Sequence, residues 1–438
     1  MSEVNLFSYQ QNLMERICSL EELGLAFQAV KRNGGAPGID GVTVKEFEER
    51  LSQELSQLKK DLEGWTYEPR PVRRVEIPKP GAGAGVRLLG IPTVRDRVLH
   101  TAIQAVLEPI FDPLFSEHSY GFRPKRHQRQ AVLEAQRIVQ SGKEHVVDID
   151  LAQFFDRIHH DRLIHRLGLT IQDKQVLRLI GLTLRSGIMK DGIVSATTEG
   201  SVQGSPLSPL LSNVVLDELD RELERRGLEF CRFADDCNIF VKSQKAAERV
   251  METVTRFIES RLKLVVNREK SKVALSKGVK FLGLTIVAGT IAISSKSMAR
   301  AMDKVKDLTP RGTSQSIEQT VEKINSWYVG WAGYYKMTQY PSQLATIEAH
   351  LRRRLRSRIV SQQKKRRHLF ARLKERGVPK GLAAKDVYSN KNRWALSHSR
   401  SVERAYPNRW FIQELGQEIV SNEEHPHWFP LKICIKLS

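Results

Sequence analysis

The chain has 438 residues, 40% hydrophobic, 7% aromatic and 27% charged, which excludes a disordered or fibrous protein and suggests two or three domains. Lys and Arg number 70 against 50 Asp and Glu, and a surplus of +20 is self-repelling unless a polyanion neutralises it. Nucleic acid therefore leads the possible partners, ahead of a membrane surface. The start, "MSEVNLFSYQQNLMERICSL", has no charged-then-apolar leader pattern, and no apolar run approaches the roughly 20 residues of a membrane span. A soluble, intracellular protein without a membrane partner is expected. Cys18, Cys231, Cys237 and Cys434 form no C-x-x-C pair, so buried reduced thiols are expected rather than a zinc site or a disulfide framework.

In chain order, residues 1–30 carry a helical pattern, which the glycine-rich "NGGAPGIDGVT" breaks as a loop. "VKEFEERLSQELSQLKKDL" is helical by its three- and four-residue apolar intervals. "PVRRVEIPKPGAGAGVRLLGIP" predicts two short strands joined by a Gly/Pro turn, and "VRDRVLHTAIQAVLEPIF" a helix. From about 145 to 290, strand-like pieces ("EHVVDIDL", "EFCRFADDCNIFVKS", "VKFLGLTIVAGTIAIS") alternate with helical ones, a mixed α/β or α+β pattern. After Ser295 two long helical patterns follow, "SIEQTVEKINSWYVGWAGYYK" and "QLATIEAHLRRRLRSRIVSQQKKRRHLFARLKER". Between His350 and Arg376 stand twelve Lys/Arg and one acid, with leucines and Phe370 recurring at helical spacing. A solvated face is the plain reading of such a run. A basic helix with one packed face, holding RNA or DNA phosphates, is preferred here.

The acids carry the chemistry. "CRFADDCNIF" sets Asp235 and Asp236 side by side in a hydrophobic hairpin. On a strand they would face opposite sides, but at a tight turn both approach one point. A simple Asp turn is the alternative; against it, buried carboxylates need a cation, either an arginine or a metal. "HVVDIDLAQFFD" places Asp148 and Asp150 on one strand face, with Asp156 expected to cap a helix. Three such carboxylates make an oxygen-only site suited to magnesium. Two ions about 4 Å apart serve in-line phosphoryl transfer. Nucleotidyl transfer and metal-assisted hydrolysis fit the bare acids equally.

"DLAQFFD", "GSVQGSPLSPLLSNVVLDELD" and "RFADD", in this order and spacing, resemble the palm motifs of reverse transcriptases. "APGIDGVT", "VRRVEIPKPG…RLLGIPTVRDRV" and "FSEHSYGFRPKR" resemble the fingers of the group II intron-encoded kind, and "WYVGWAGYY", "LRRRLR" and "WALSHSRSVERAY" its thumb, or maturase, domain. The resemblance runs from about residue 20 to 415. It implies an α+β right-hand polymerase followed by an α-helical thumb. The domains expected are a 1–140 N-terminal extension and fingers and a 141–295 palm, then a 296–415 thumb and an unassigned 416–438 tail. Fingers and palm together make a reverse transcriptase domain of about 60–295.

Carried over by position, the resemblance implies that Asp150, Asp235 and Asp236 are catalytic and hold two Mg²⁺ with the carbonyl of Leu151. It selects Asp150 over Asp148. Phe155 matches the steric gate that excludes a 2′-OH, with Phe154 in the core; Gln203 and Gly204 match the nucleotide loop, and Lys79 and Arg87 the cations over the dNTP triphosphate. Arg123, Lys125 and Arg126, Phe233, and Arg352, Arg353 and Arg354 are expected against template and primer. The implied partners are a structured intron RNA as template, a DNA primer or target, and dNTPs, in a bacterial cytoplasmic setting. A free-standing relative used in DNA repair or phage defence, or an RNA-binding splicing factor with a dispensable polymerase site, are the alternatives. Phe233 replaces the family's usual Tyr, Ser205 a common Gly, and no HNH His/Cys cluster follows residue 415.

Overall fold

The computed structural model describes residues 12–78, 86–190, 193–195, 199–310, 312–414 and 416. Contacts divide the chain between Leu275 and Ser276 into two units, each with its own hydrophobic core. In the first, the Ser19 hydroxyl accepts the Glu22 amide at 3.1 Å and starts α1, Leu20–Asn33, which buries Leu23, Phe27 and Val30. α1 packs on α2, Val94–Phe111, whose cap Thr93 accepts the Asp96 amide at 3.1 Å. Arg97 of α2 donates to the carbonyls of Gly34 and Ala36 at 3.1 Å each, so the glycine-rich loop is fastened to the helix.

The predicted strand pair forms as β1, Val72–Pro78, antiparallel to β2, Val86–Ile91. A second sheet is built on β3, His145–Ile149. The first sheet is completed by the short β4, Ile188–Lys190, parallel to β1, and β5, Ile193–Ser195, in the order β2-β1-β4-β5. β3 lies between β7, Asp236–Val241, and β8, Lys272–Leu275, with β6, Glu229–Phe233, outermost on the other edge. Val147 and Ile149 enter the core, while Asp148 lies in register between Asn238 and Lys272. Helices Gln128–Gln140 (α3), Ser208–Arg225 (α4) and Gln244–Phe257 (α5) pack on this sheet. Asp156 does not cap a helix: it sits inside a 3₁₀ turn, Phe154–Arg157, and the helix His160–Gly168 is capped by His159. The residue is taken up by Arg74, whose Nη2 lies 3.1 Å from Asp156 Oδ1.

The hairpin of β9, Leu284–Val287, and β10, Thr290–Ile293, falls in the second unit, beyond the point where contacts divide the chain, whereas the sequence reading ran the palm to 295. The reason is a set of amide bonds to the outer edge of β10. Gln339 accepts the Ile291 amide at 2.9 Å, and Gln343 accepts the Ile293 amide at 2.8 Å while donating to the Ile293 carbonyl at 2.9 Å. Helices α6, Ile317–Tyr335, and α7, Pro341–Gln362, follow. The second long helical pattern is two helices, because the chain turns after Gln362 and α8, Arg366–Glu375, returns Leu369 and Leu373 to the same core. Among the described residues Cys18, Cys231 and Cys237 are buried free thiols, and no helix is long and apolar enough to cross a membrane.

Inside the second unit the fully buried Tyr328 donates its hydroxyl to Glu348 Oε1 at 2.8 Å. Burial holds the Glu348 carboxyl above its ordinary range, with Tyr328 and Arg352 pulling the other way. A carboxyl raised by folding binds its proton more tightly in the folded state, so its contribution is present at acid pH and is lost as pH rises through the folded value. Glu348→Gln removes that titration. In thermal melts from about pH 4 to about pH 8 the parent's melting temperature, relative to the variant's, is expected to fall with rising pH.

Candidate active site of the first unit

The acidic turn is a two-residue connection. Phe233 pairs with Asp236 across the β6–β7 ladder, leaving Ala234 and Asp235 at the tip. Ala234 has φ 58°, a left-handed conformation that costs a residue with a Cβ roughly 1–2 kcal/mol. The cause is beside it. Arg232 is fully buried, and its Nη1 donates to the Ala234 carbonyl at 3.0 Å. The same guanidinium grips Asp220 of α4 through Nε at 2.7 Å and Nη2 at 2.6 Å, and also donates to Asn213 Oδ1 at 3.0 Å and Ser119 Oγ at 2.7 Å. Asn213 in turn donates to the Gly121 carbonyl at 2.9 Å. A Cβ on Gly121 would lie 2.2 Å from the Ala234 nitrogen, so only glycine lets "SYGFRPKR" lie flush against the turn. The sequence reading missed Arg232, Asp220 and Asn213. The available signal was a charge of either sign inside an apolar segment, "EFCRF" and "NVVLDELD".

Asp235 is partly buried, and burial holds its carboxyl above the ordinary range. The charge of Asp150 pushes the same way; the residue's own backbone amide, Arg87 and Arg232 pull it down. Asp150, just past β3, is held through its main chain. Its amide donates to Ser271 Oγ at 3.0 Å and its carbonyl accepts the Asn267 amide at 2.8 Å, while Lys270 Nζ lies 3.6 Å from Oδ1. Nothing in the sequence pattern pointed to these three residues. Asp236 begins β7 and is exposed, whereas Asp235 at the tip is partly buried. Among the described residues no three His, Cys, Asp or Glu side chains are grouped closely enough to hold a metal ion. The charge of Asp150 acts on the Asp235 carboxyl, and oxygen donors of this kind suit a hard divalent cation.

The other expected residues fall into place by element. Leu151 is buried and bridges to Val266. Phe155 is half-buried, edge-on to the core residue Phe154 at 5.2 Å, and its carbonyl accepts the Ser201 amide at 2.6 Å. Gln203 accepts the Gly90 amide at 2.8 Å, and Gly204, at φ 121°, lies so close to Gly90 that an added Cβ would meet its carbonyl oxygen at 2.5 Å. Ser205 has a buried partner, His100 Nδ1, at 2.9 Å, and burial keeps His100 below its usual pKa and hence neutral. Arg87 is exposed on β2, and Lys79 lies outside the described residues.

Of the residues expected against template and primer, five arginines have partners within the fold. Arg123 is buried, donating to Asp112 Oδ1 at 2.6 Å and to the carbonyls of Asp112, Ser116 and Ser119. Its fork is used up inside the fold. Arg126 bonds Glu117 and lies over the Tyr120 ring at 5.5 Å, so the segment presents Phe122 and Lys125 to solvent. In the second unit the basic part of α7, Leu351 to Val360, is enclosed, with no exposed residue. Arg352 is buried beside Glu348, Arg353 stacks on Trp394 at 4.3 Å, and Arg354 donates to Thr309 Oγ1 and to its carbonyl, each at 2.7 Å. The exposed cations of the basic run are Lys364, Lys365, Arg366, Arg367, Arg372 and Lys374, around α8; of these Arg366 donates to the Val387 carbonyl at 2.7 Å and Arg372 to Glu375 at 2.9 Å.

Comparison with known proteins agrees in order and extent. Residues 77–286 match the family model "Reverse transcriptase (RNA-dependent DNA polymerase)", and residues 298–377 match "Group II intron, maturase-specific domain". "Protein YkfC" of Escherichia coli is 32% identical over 318 residues, 63% of this chain and 83% of that one. "Group II intron-encoded protein LtrA" of Lactococcus lactis is 34% identical over 253 residues, 57% of this chain and 40% of its own length. The chain belongs to the group II intron-encoded reverse transcriptase/maturase family. A chain of the solved "Partial Cas6-RT-Cas1--Cas2 complex" overlays with a TM-score of 0.38 and 27% identity, over 58% of this chain and 44% of that one. As a family, reverse transcriptases use divalent metal ions and an RNA template. The reverse transcriptase domain of this family member thus holds Asp150 and Asp235, and the maturase-specific domain holds the basic helix α7.

The buried ion pair makes a sharp contrast available. Asp220→Ala strands the Arg232 guanidinium and is expected to cost about 3–5 kcal/mol. Glu252→Ala, which breaks the exposed pair with Arg256, is expected to cost well under about 1 kcal/mol. Urea denaturation of the two variants checks the difference.

Proposed function

We propose that the chain is an RNA-directed DNA polymerase in which Asp150 and Asp235 form the metal-binding core of the site, with Asp236 and the Leu151 carbonyl beside them. What supports this reading is that Asp235 sits partly buried at the tip of the β6–β7 hairpin, where the charges of Asp150, just past β3, and of Arg87 both act on its carboxyl. The substrates proposed are a primer 3′-OH and a dNTP, joined with release of pyrophosphate on an RNA template. Two Mg²⁺ ions, when bound, would activate the attacking hydroxyl and neutralise the charge developing on the phosphates.

The chain's own residues do the rest. Asp150 and Asp235 supply ionised oxygens, and the main-chain bonds to Asn267 and Ser271 keep Asp150 aimed. Arg87 brings positive charge to the triphosphate side, where electrostatic stabilisation is a large part of the catalysis. Phe155 closes the space beneath the sugar, and Gln203 and Gly204 let main chain approach the nucleotide. Phe233 keeps an aromatic ring beside the primer end without a hydroxyl. The maturase role proposed is binding and folding of a structured intron RNA, with Lys364, Lys365, Arg367 and Lys374 supplying phosphate contacts.

Purified protein with Mg²⁺, dNTPs and a primed RNA is expected to extend the primer, and Asp150→Asn and Asp235→Asn to lower the rate on the order of 10³-fold or more. Both variants are expected to bind intron RNA as the parent does. Extension that survives Asp235→Asn would count against the assignment.

A further inference from the structure

One ion pair of the first unit is used by nothing described so far. Arg74 sits on β1, opposite Gly90 of β2, in the same two-strand ribbon that carries Arg87 three positions further on, opposite Ile77. Its Nη2 reaches across to Asp156 Oδ1 at 3.1 Å. Asp156 is the residue directly after Phe155, in the same 3₁₀ turn. That turn is entered through Gln153 at φ 50°, a conformation that costs a non-glycine residue and persists only where its surroundings hold it.

The turn is held on one side by main chain. The Ser201 amide donates to the Phe155 carbonyl at 2.6 Å, and the Gly200 amide to the Ile158 carbonyl at 2.8 Å, while His160 Nε2 and the Gly200 oxygen are 2.7 Å apart. The same strap then runs to Gln203, whose carbonyl accepts the Gly90 amide of β2. Between strap, turn and ribbon lies a cavity of about 300 Å³ lined by Arg74, Leu88, Gln153, Asp156, Gly200 and Val202. The Arg74–Asp156 pair is the side-chain tie at that cavity, and without it the turn has room to relax into the void.

We propose that Arg74 is a specificity-determining positioning residue: through Asp156 it fixes the height of the Phe155 ring beneath the sugar, in register with the ribbon that presents Arg87 to the triphosphate. This rests on the reading of Phe155 as the sugar gate. Sugar and triphosphate are thus located by one rigid ribbon. A gate excludes a single hydroxyl by contact, so a displacement of a fraction of an ångström is enough to admit it. The pair is partly exposed, with side-chain exposures of 21% and 46%, and such pairs contribute little to stability. Its removal therefore leaves a folded enzyme in which only selection changes.

The test is single-nucleotide incorporation on a primed RNA template, comparing kcat/KM for a dNTP and the rNTP of the same base. Arg74→Gln and Asp156→Asn are each expected to lower the preference for dNTP roughly tenfold, the double variant no further, with dNTP turnover and melting temperature little changed. The exchanged pair, Arg74→Asp with Asp156→Arg, is expected to recover part of the preference. Phe155→Val serves as the reference and is expected to remove most of it. If Phe155→Val admits rNTP while Arg74→Gln and Asp156→Asn keep the parent's preference, the positioning role is wrong. If Phe155→Val itself keeps the preference, the gate reading is wrong and the role of Arg74 falls with it.

Discussion

The first unit depends on one guanidinium. Arg232 is buried with Asp220, and a stranded charge at that depth would unfold much of what surrounds it. The pair does more than neutralise itself. Through its remaining donors Arg232 fastens the left-handed Ala234, Asn213 and Ser119, and its main chain pairs with His118 and Tyr120. Helix α4, the "SYGFRPKR" segment and the acidic hairpin are thereby tied at a single point. Asp235 can sit partly buried, under the charge of Asp150, because Arg232 and Gly121 hold the turn that carries it.

The same use of arginine explains where much of the basic charge goes. In the second unit Arg356 donates to the Tyr406 carbonyl and Asn408, Arg358 to Thr320 and the Gln315 carbonyl, and Arg376 to the Ala405 carbonyl while stacking on Tyr406. These side chains close helix ends and connect segments far apart in sequence. A planar fork with five donors suits that work better than lysine does. The charge left for an RNA to meet is therefore concentrated around α8, on lysines and the outward arginines, rather than along α7.

The departures from the family pattern have physical contexts. Ser205, where glycine is common, gains a buried hydrogen bond to a neutral His100, so the loop of Gln203 and Gly204 is tied to α2. Phe233 stands opposite Asp236 at the last ladder position before the turn, and its missing hydroxyl leaves the hairpin geometry intact, since that geometry is imposed by Arg232 and Gly121.

Periodicity, turn residues and charge, read alone, determined the strand and helix alternation, the two-strand ribbon with Arg87 and the acidic hairpin, because those signals are local. Motif order determined the family, because several short constellations must recur together in one chain. Neither could say which charges face inward. A buried arginine and a solvated one look alike in sequence, which is why Arg123 and Arg352 were expected at a surface and Arg232 was passed over. Nor could spacing decide that Asp235 is partly buried while Asp236 is exposed, that two helices rather than one cross the basic run, or that Asp156 belongs to Arg74. Those outcomes depend on partners 82 residues away for Asp156 and 113 for Arg232, and only the folded chain brings them together.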